Sequence, residues 1–240
     1  MPKYKIADVV FQADLLYEYT KKLCSAYEYG GDEPSEFSVT VTADDVAAEK
    51  ALAPDFKDEY LENLVILRRL CDYVLDKKQG MIFHSSAIAV DGQAYLFTAP
   101  SGTGKSTHAH LWRQLLGERA VMVNDDKPIV RLIDGKFFVY GTPWNGKHNI
   151  GSNVSYPVKA VCLLRQAKEN AIYKCSPAKT LMTILNQTVR PTDERKMDKL
   201  LTLAEKFIEK TAAYLLECNV SKQAAELSFN TMSKGNENEN

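Results

Sequence analysis

The chain has no CxxC pair, and its five cysteines (Cys24, Cys71, Cys162, Cys175, Cys218) are odd in number and widely spaced. Such spacing gives no zinc site and no disulfide framework, and it points to reduced thiols in a cytoplasmic protein. No apolar run approaches bilayer length, and the opening MPKYKIADVVF has no cleavable apolar core behind its lysines. An excess of one charge is missing too. Thirty Lys+Arg against 31 Asp+Glu leave a net charge of −1, so neither nucleic acid nor a membrane surface is an expected partner. There is no internal repeat and no clear interdomain linker. What remains is an ordinary globular composition, 45% apolar and 25% charged over 240 residues, which suits one large domain or a domain with a smaller appendage. Composition leaves a homo-oligomer open.

One stretch carries most of the information: Ala99-Pro100-Ser101-Gly102-Thr103-Gly104-Lys105-Ser106-Thr107. It follows an apolar run, Ala94 to Ala99, and precedes a helical segment, Thr107 to Leu116. Two glycines around a small residue let the backbone curl so that successive N–H groups point into one concavity. At a helix N-terminus such a nest holds phosphate oxygens. Lys105 adds a mobile positive charge at its rim, and the Ser106 hydroxyl is placed to hold a magnesium ion. Residues 101–107 therefore form a candidate phosphate-binding loop of the Walker A kind. Ala99 stands where the first glycine of that pattern usually does.

Taken in order, residues 4–12 and 36–42 read as strands, and Tyr17 to Tyr27 as helical or irregular. Short and long helices are expected over 43–52 and 58–77, the second with Leu61, Leu64, Val65, Leu67, Leu70, Cys71, Val74 and Leu75 at helical spacing. Apolar runs at 82–90 and 93–99 flank Asp91-Gly92, a strong hairpin signal, so the strand feeding the loop should pair antiparallel with the strand before it. The pattern recurs: strands at 120–124, 128–133 and 137–140, the last two joined by Asp134-Gly135. Residues 141–157 are too polar and Gly-rich for core and read as a loop. A buried strand (158–164), helices (177–186, 193–210), a final strand (212–216) and a helix (221–232) capped by Ser221 complete the reading. The expected class is α/β with a mixed sheet and some α+β character. Hairpins crowd the nucleotide loop, where common P-loop proteins place parallel βαβ units.

Asp125-Asp126 ends a buried strand. Carboxylates there, across from a phosphate loop, can hold magnesium, and a second one can take a proton from an incoming hydroxyl. His84 ends the strand paired with the loop's own strand, so the hairpin can bring its imidazole near a γ-phosphate. His108 and His110, at i and i+2 on the next helix, face different sides and make no joint metal site. Lys147 and His148 in the polar loop are candidate substrate contacts. Trp144 either shapes that pocket or anchors the loop.

His84-Ser85-Ser86-Ala87, the Asp-Gly hairpin, APSGTGKST and Asn124-Asp125-Asp126, in that order and spacing, resemble the C-terminal catalytic domain of HPr kinase/phosphorylase. That domain is itself similar to ATP-dependent phosphoenolpyruvate carboxykinase, whose loop shares the SGTGK core. The resemblance covers roughly residues 80–165. It implies a carboxykinase-like P-loop core, with residues 79–234 as the catalytic domain, 1–78 as a small α+β portion packed on it, and 235–240 as a disordered tail. By the family's pattern His84 matches the active-site histidine, Lys105 the phosphate-binding lysine and Ser106 a magnesium ligand. The acidic pair would supply the base, with Asp126 favoured for that role and Asp125 on the metal side. Arg190 or Arg195 would match the family's C-terminal arginine.

Two departures stand beside the match. The kinase family's downstream magnesium-ligating glutamate has no counterpart, since residues 136–157 contain no acidic residue, and GTPWNGKHN there looks like the loop of smaller stand-alone relatives. The N-terminal portion does not look like that kinase's sensor domain. The resemblance thus implies an ATP- and Mg²⁺-dependent kinase with a serine-type hydroxyl acceptor on a small protein, peptide or small molecule. The alternatives are a nucleotide-binding regulatory protein without transfer activity, or an NTP hydrolase.

Overall fold

Ala7 and Asp8 both adopt left-handed backbone (φ 52° and 55°) and fold the N-terminal apolar run back on itself. Residues 4–12 are therefore not one strand but a hairpin, β1 (Lys3–Ile6) and β2 (Val9–Asp14). The turn was hard to foresee because neither residue is the glycine or asparagine that usually marks it. The computed structural model describes residues 1–147 and 149–234. The expectation for residues 235–240 lies outside them.

Helix α1 (Glu18–Cys24) leads to β3 (Phe37–Thr40), which adds parallel to β2 and completes a three-stranded sheet. Helix α2 (Ala43–Leu52) opens on a capping box, Thr42 with Asp45. Helix α3 (Asp58–Lys77) buries Leu61, Val65, Leu70 and Val74, the expected stripe, against that sheet. Its fully buried Glu62 accepts hydrogen bonds from the Leu16 and Tyr17 amides ahead of α1 (2.5 and 3.3 Å).

The larger sheet begins with β4 (Gly80–Ile82), β5 (Ser86–Val90) and β6 (Gln93–Thr98). Beyond α4 (Lys105–Leu116) follow β7 (Ala120–Asn124), β8 (Ile129–Ile133) and β9 (Lys136–Tyr140). Both Asp-Gly turns have φ positive at each residue, as two-residue hairpins with right-handed strand twist require. β10 (Ser155–Gln166) starts within the segment expected as loop and is longer than expected. β11 (Ala171–Lys174) gave no clear sequence signal; α5 (Pro177–Asn186), α6 (Glu194–Lys210), β12 (Ala212–Cys218) and α7 (Lys222–Lys234) follow. Ser221 does cap α7, its Oγ accepting from the Ala224 amide at 3.2 Å.

The order is β4-β8-β9-β10-β6-β5-β7, with β12 on β10 and β11 on β12. β10 joins two halves. Its first residues pair antiparallel with β9, and the rest pair parallel with β6 and β12. Strand alternation sorts the core. Ala87, Ala89, Ala94 and Leu96 face α5 and α6, where Ile184, Leu200 and Phe207 are buried. Ile88, Val90, Tyr95 and Phe97 face α4 and α7, where Trp112, Ala225 and Met232 are buried. The class is thus mixed α/β, with seven α-helices among the described residues.

The N-terminal sheet is tied to this core. Arg131 Nη1 donates to the Ala7 carbonyl (2.5 Å), and the Tyr140 hydroxyl donates to Asp8 (2.5 Å). Ile82, Ile129, Tyr140 and Trp144 share one apolar cluster with α3. No helix among the described residues is long and apolar enough to cross a membrane.

Candidate functional site

β5 lies between β6 and β7 and runs antiparallel to both. Both neighbours therefore end where β5 begins, and three sequence features meet there: the loop after β6, the acidic pair after β7, and His84-Ser85-Ser86 ahead of β5.

In the loop, Gly102 and Gly104 take φ of 79° and 115°, conformations that favour glycine. Ala99 is not among the residues with positive φ, so alanine serves where the usual pattern has glycine. Gly104 is the N-cap of α4; no side chain caps that helix, and its first turn holds no acidic residue. Among the described residues the first-turn N–H groups thus lack a side-chain acceptor. Ser101, Gly102 and Thr107 are exposed, and Thr103, Gly104 and Ser106 half-buried. The Lys105 side chain folds back so that Nζ donates to the Ala99 carbonyl (3.0 Å), leaving the residue 8% exposed. Burial lowers its pKa, opposed by the nearby carboxylates of Asp126 and Asp125.

The acidic pair is held from several sides. Ser86 Oγ donates to Asp125 Oδ1 (2.7 Å), and Asp125 is buried. His84 Nε2 lies 2.8 Å from Asp126 Oδ1, and Lys127 Nζ lies 2.5 Å from Asp126 Oδ2. Burial alone would raise the Asp126 pKa, but the bonds from His84 and Lys127 outweigh it and hold the carboxyl down to about 2. Fully buried Asn124 shapes the turn. Its Oδ1 accepts from the Asp126 and Lys127 amides (2.8 and 2.7 Å), and its Nδ2 donates towards Thr142 and Asn145 (3.0 and 2.8 Å).

The structure thus brings His84, Lys105, Asp125 and Asp126 to one end of the sheet. Trp144 anchors the polar loop in the core beside α3. Exposed Lys147 follows Gly146, where a Cβ would stand 3.2 Å from that of Asp126. Exposed Arg190 lies beyond α5, and among the described residues neither it nor Lys147 bonds to the cluster. His148 lies outside the described residues. His108 is buried and His110 exposed, on different sides as expected.

Sequence reasoning gave no role to Ser86, Asn124, Lys127, Thr142 or Gln187. A cleft of about 680 Å³ runs between the loop and α5, and Gln187 stands in its wall. The Gln187 carbonyl accepts from the His84 amide (2.7 Å), while its buried side-chain Oε1 has no hydrogen-bond partner among the described residues. The run Asn124-Asp125-Asp126-Lys127 was the available signal for the others.

Oxygen donors near the loop suit magnesium, which binds through one or two carboxylates plus substrate phosphates and keeps several waters. Asp125 and Ser106 are such donors, and the described residues contain no cluster of three His, Cys, Asp or Glu that would suit a metal held by protein alone.

Residues 54–223 match a family model described as SynChlorMet cassette protein ScmC. The chain belongs to the ScmC family. The span matched to ScmC contains α3, the loop of residues 99–104, the acidic pair and α5. No curated protein matches the chain. Among solved structures it is similar to the HPr(Ser) kinase/phosphatase from Coxiella burnetii, with a TM-score of 0.37 and 10% identity, over 64% of this chain and 88% of that chain.

Proposed function

We propose that the protein is an ATP–Mg²⁺-dependent kinase that transfers the γ-phosphate to a serine-type hydroxyl of a small protein, peptide or small molecule. The observation that carries this reading is the Asp125–Asp126 strand end beside Lys105, with Asp126 bonded to His84. Holding phosphate and magnesium would occupy one carboxylate; a second, ionised and oriented by His84, is what a hydroxyl acceptor needs as its base.

In this reading the loop amides of residues 101–107 and Lys105 hold the β- and γ-phosphates. Ser106 and Asp125 would hold magnesium, which when bound offsets phosphate charge. Asp126 takes the proton of the acceptor hydroxyl as the new oxygen–phosphorus bond forms and the bond to the β–γ bridging oxygen breaks. ADP leaves. His84 donates to Asp126 and orients it. The chain's work is positioning and electrostatics, with little covalent chemistry. Residues 79–234 form the catalytic domain and 1–78 a supporting portion. Lys147 and Arg190 are acceptor contacts, and the unpaired thiols suit the cytoplasm.

A second reading, a nucleotide-binding regulatory protein without transfer, is favoured by the lack of any acidic residue over 136–157. Incubation with γ-labelled ATP, magnesium and cell extract separates the two, with Lys105→Ala and Asp126→Asn as controls. Label on an acceptor with wild type alone supports the kinase. Nucleotide binding with neither transfer nor hydrolysis sinks it.

A further inference from the structure

Asp126 is gripped at both oxygens, but by groups of different freedom. His84 is short and its main chain is pinned, the amide donating to the Gln187 carbonyl and the carbonyl accepting from Thr98 Oγ1 (3.0 Å). Lys127 also has a fixed main chain. Its amide donates to Asn124 Oδ1 (2.7 Å) and its carbonyl accepts from Thr142 Oγ1 (2.7 Å). Its side chain is otherwise a flexible four-carbon stem, 29% exposed, ending in an ammonium with three donors. Asp126 Oδ2 is the one hydrogen-bond partner of that ammonium among the described residues.

β6 and β7 flank β5 and end at the same edge, with Phe97 opposite Ser86 and Asn124 opposite Ala87, so Lys127, three residues past Asn124, stands at the end of the sheet that carries the loop. Two carboxylates, Asp125 and Asp126, and two lysine side chains, Lys105 and Lys127, thus share this end of the sheet. A nucleoside triphosphate in the loop adds several negative charges at once. The Lys127 ammonium then has two acceptors to choose between, a single carboxylate already shared with His84 and a more highly charged terminal phosphate. Attraction scales with charge at equal distance and dielectric, which favours the phosphate.

We infer that Lys127 is a γ-phosphate sensor. It leaves Asp126 Oδ2 for the terminal phosphate of a bound nucleoside triphosphate, and Asp126 is thereby opened to the acceptor hydroxyl only when that phosphate is present. A diphosphate, lacking the terminal group, leaves the Lys127–Asp126 pair closed. The inference rests on the reading of residues 101–107 as a nucleotide loop, and it does not require that transfer be detected.

The test is calorimetric titration of the full chain with Mg-ATP and Mg-ADP, for wild type, Lys127→Met and Lys127→Arg. Wild type should bind ATP more tightly than ADP. Lys127→Met should lose about tenfold or more in ATP affinity while ADP affinity stays within about twofold, and Lys127→Arg should keep most of the difference. Equal loss for both nucleotides, or no loss for either, overturns the sensor and leaves the nucleotide loop standing. Failure of wild type to bind either nucleotide overturns both. If Lys127→Met does not fold, reductive ¹³C-methylation of wild-type lysines, with Lys127→Arg to assign the resonance, gives the answer by NMR. The Lys127 signal should move with ATP and stay with ADP, and a signal indifferent to ATP refutes the inference.

Discussion

Nε2 of His84 lies 2.8 Å from Oδ1 of Asp126, although β5, β6, the loop of residues 99–104, α4 and β7 separate the two residues in the chain. The pair closes the end of the sheet on which the loop stands, and it makes the carboxylate the best-held charge of the site.

Removing that charge should stop transfer without dismantling the loop. Asp126→Asn is expected to cut kcat by about 10²–10⁴ and to leave ATP affinity equal or higher, since Lys127 no longer has to leave a carboxylate. His84→Gln, which keeps a donor for Asp126 in reach, should cost less than His84→Ala. Steady-state transfer kinetics with parallel nucleotide titration check both statements.

Lys105→Met should separate binding from stability. The ammonium is buried at 8% exposure with one carbonyl partner, so an apolar side chain of similar length ought to hold the melting temperature or raise it. Nucleotide affinity should fall by about tenfold to a hundredfold, since a charge-assisted bond to phosphate is lost. A melting curve and a titration on one preparation decide the matter; a large drop in melting temperature would count against this account of Lys105.

Asn124→Ala should destabilise the protein by about 2–4 kcal/mol, because it leaves the Asp126 amide and the Thr142 carbonyl without their partner and the Lys127 amide with the Trp144 carbonyl alone. Gly151→Ala should act on the same turn from outside. A Cβ there would meet Asn145 Oδ1, the group that accepts from Asn124 Nδ2. Urea unfolding of the two variants should show losses of the same sign, smaller for Gly151→Ala if Asn145 can rotate away.

His108 should give the protein a pH-dependent stability unrelated to catalysis. Burial lowers its pKa from 6.5 to about 4, with Nε2 set 2.9 Å from Ser228 Oγ, which also accepts from Trp112 Nε1 (2.8 Å). The neutral ring is favoured in the folded state, so its contribution is complete above pH 6.5 and is lost as pH falls towards 4. The full effect is about 3 kcal/mol. Unfolding free energies at pH 7.5 and 4.5 should therefore converge in His108→Gln relative to wild type. An unchanged gap would exclude His108 as the source.

Much of the site was legible in the chain because its parts are local. Gly102 and Gly104 are needed where φ is positive, Asp91-Gly92 and Asp134-Gly135 specify two-residue turns, and Asp125-Asp126 closes an apolar strand. Each of these follows from the conformational preference of one or two residues. The Ala7-Asp8 turn lacks a glycine and begins on Ala7, which has no preference for positive φ, and it is held by strand pairing and by Arg131 and Tyr140, distant in sequence.

Sequence alone determined the loop, the two hairpins, the amphipathic α3 and the acidic strand end, all set by backbone preference or hydrophobic period. Only the tertiary structure decided which groups meet. The antiparallel setting of β5 between β6 and β7 brings His84, Lys105 and Asp126 to one end, and the Asn124–Thr142 bonds fix the turn from which Lys127 reaches back to Asp126. Those contacts depend on strand order and long-range hydrogen bonds, which no short stretch of sequence encodes.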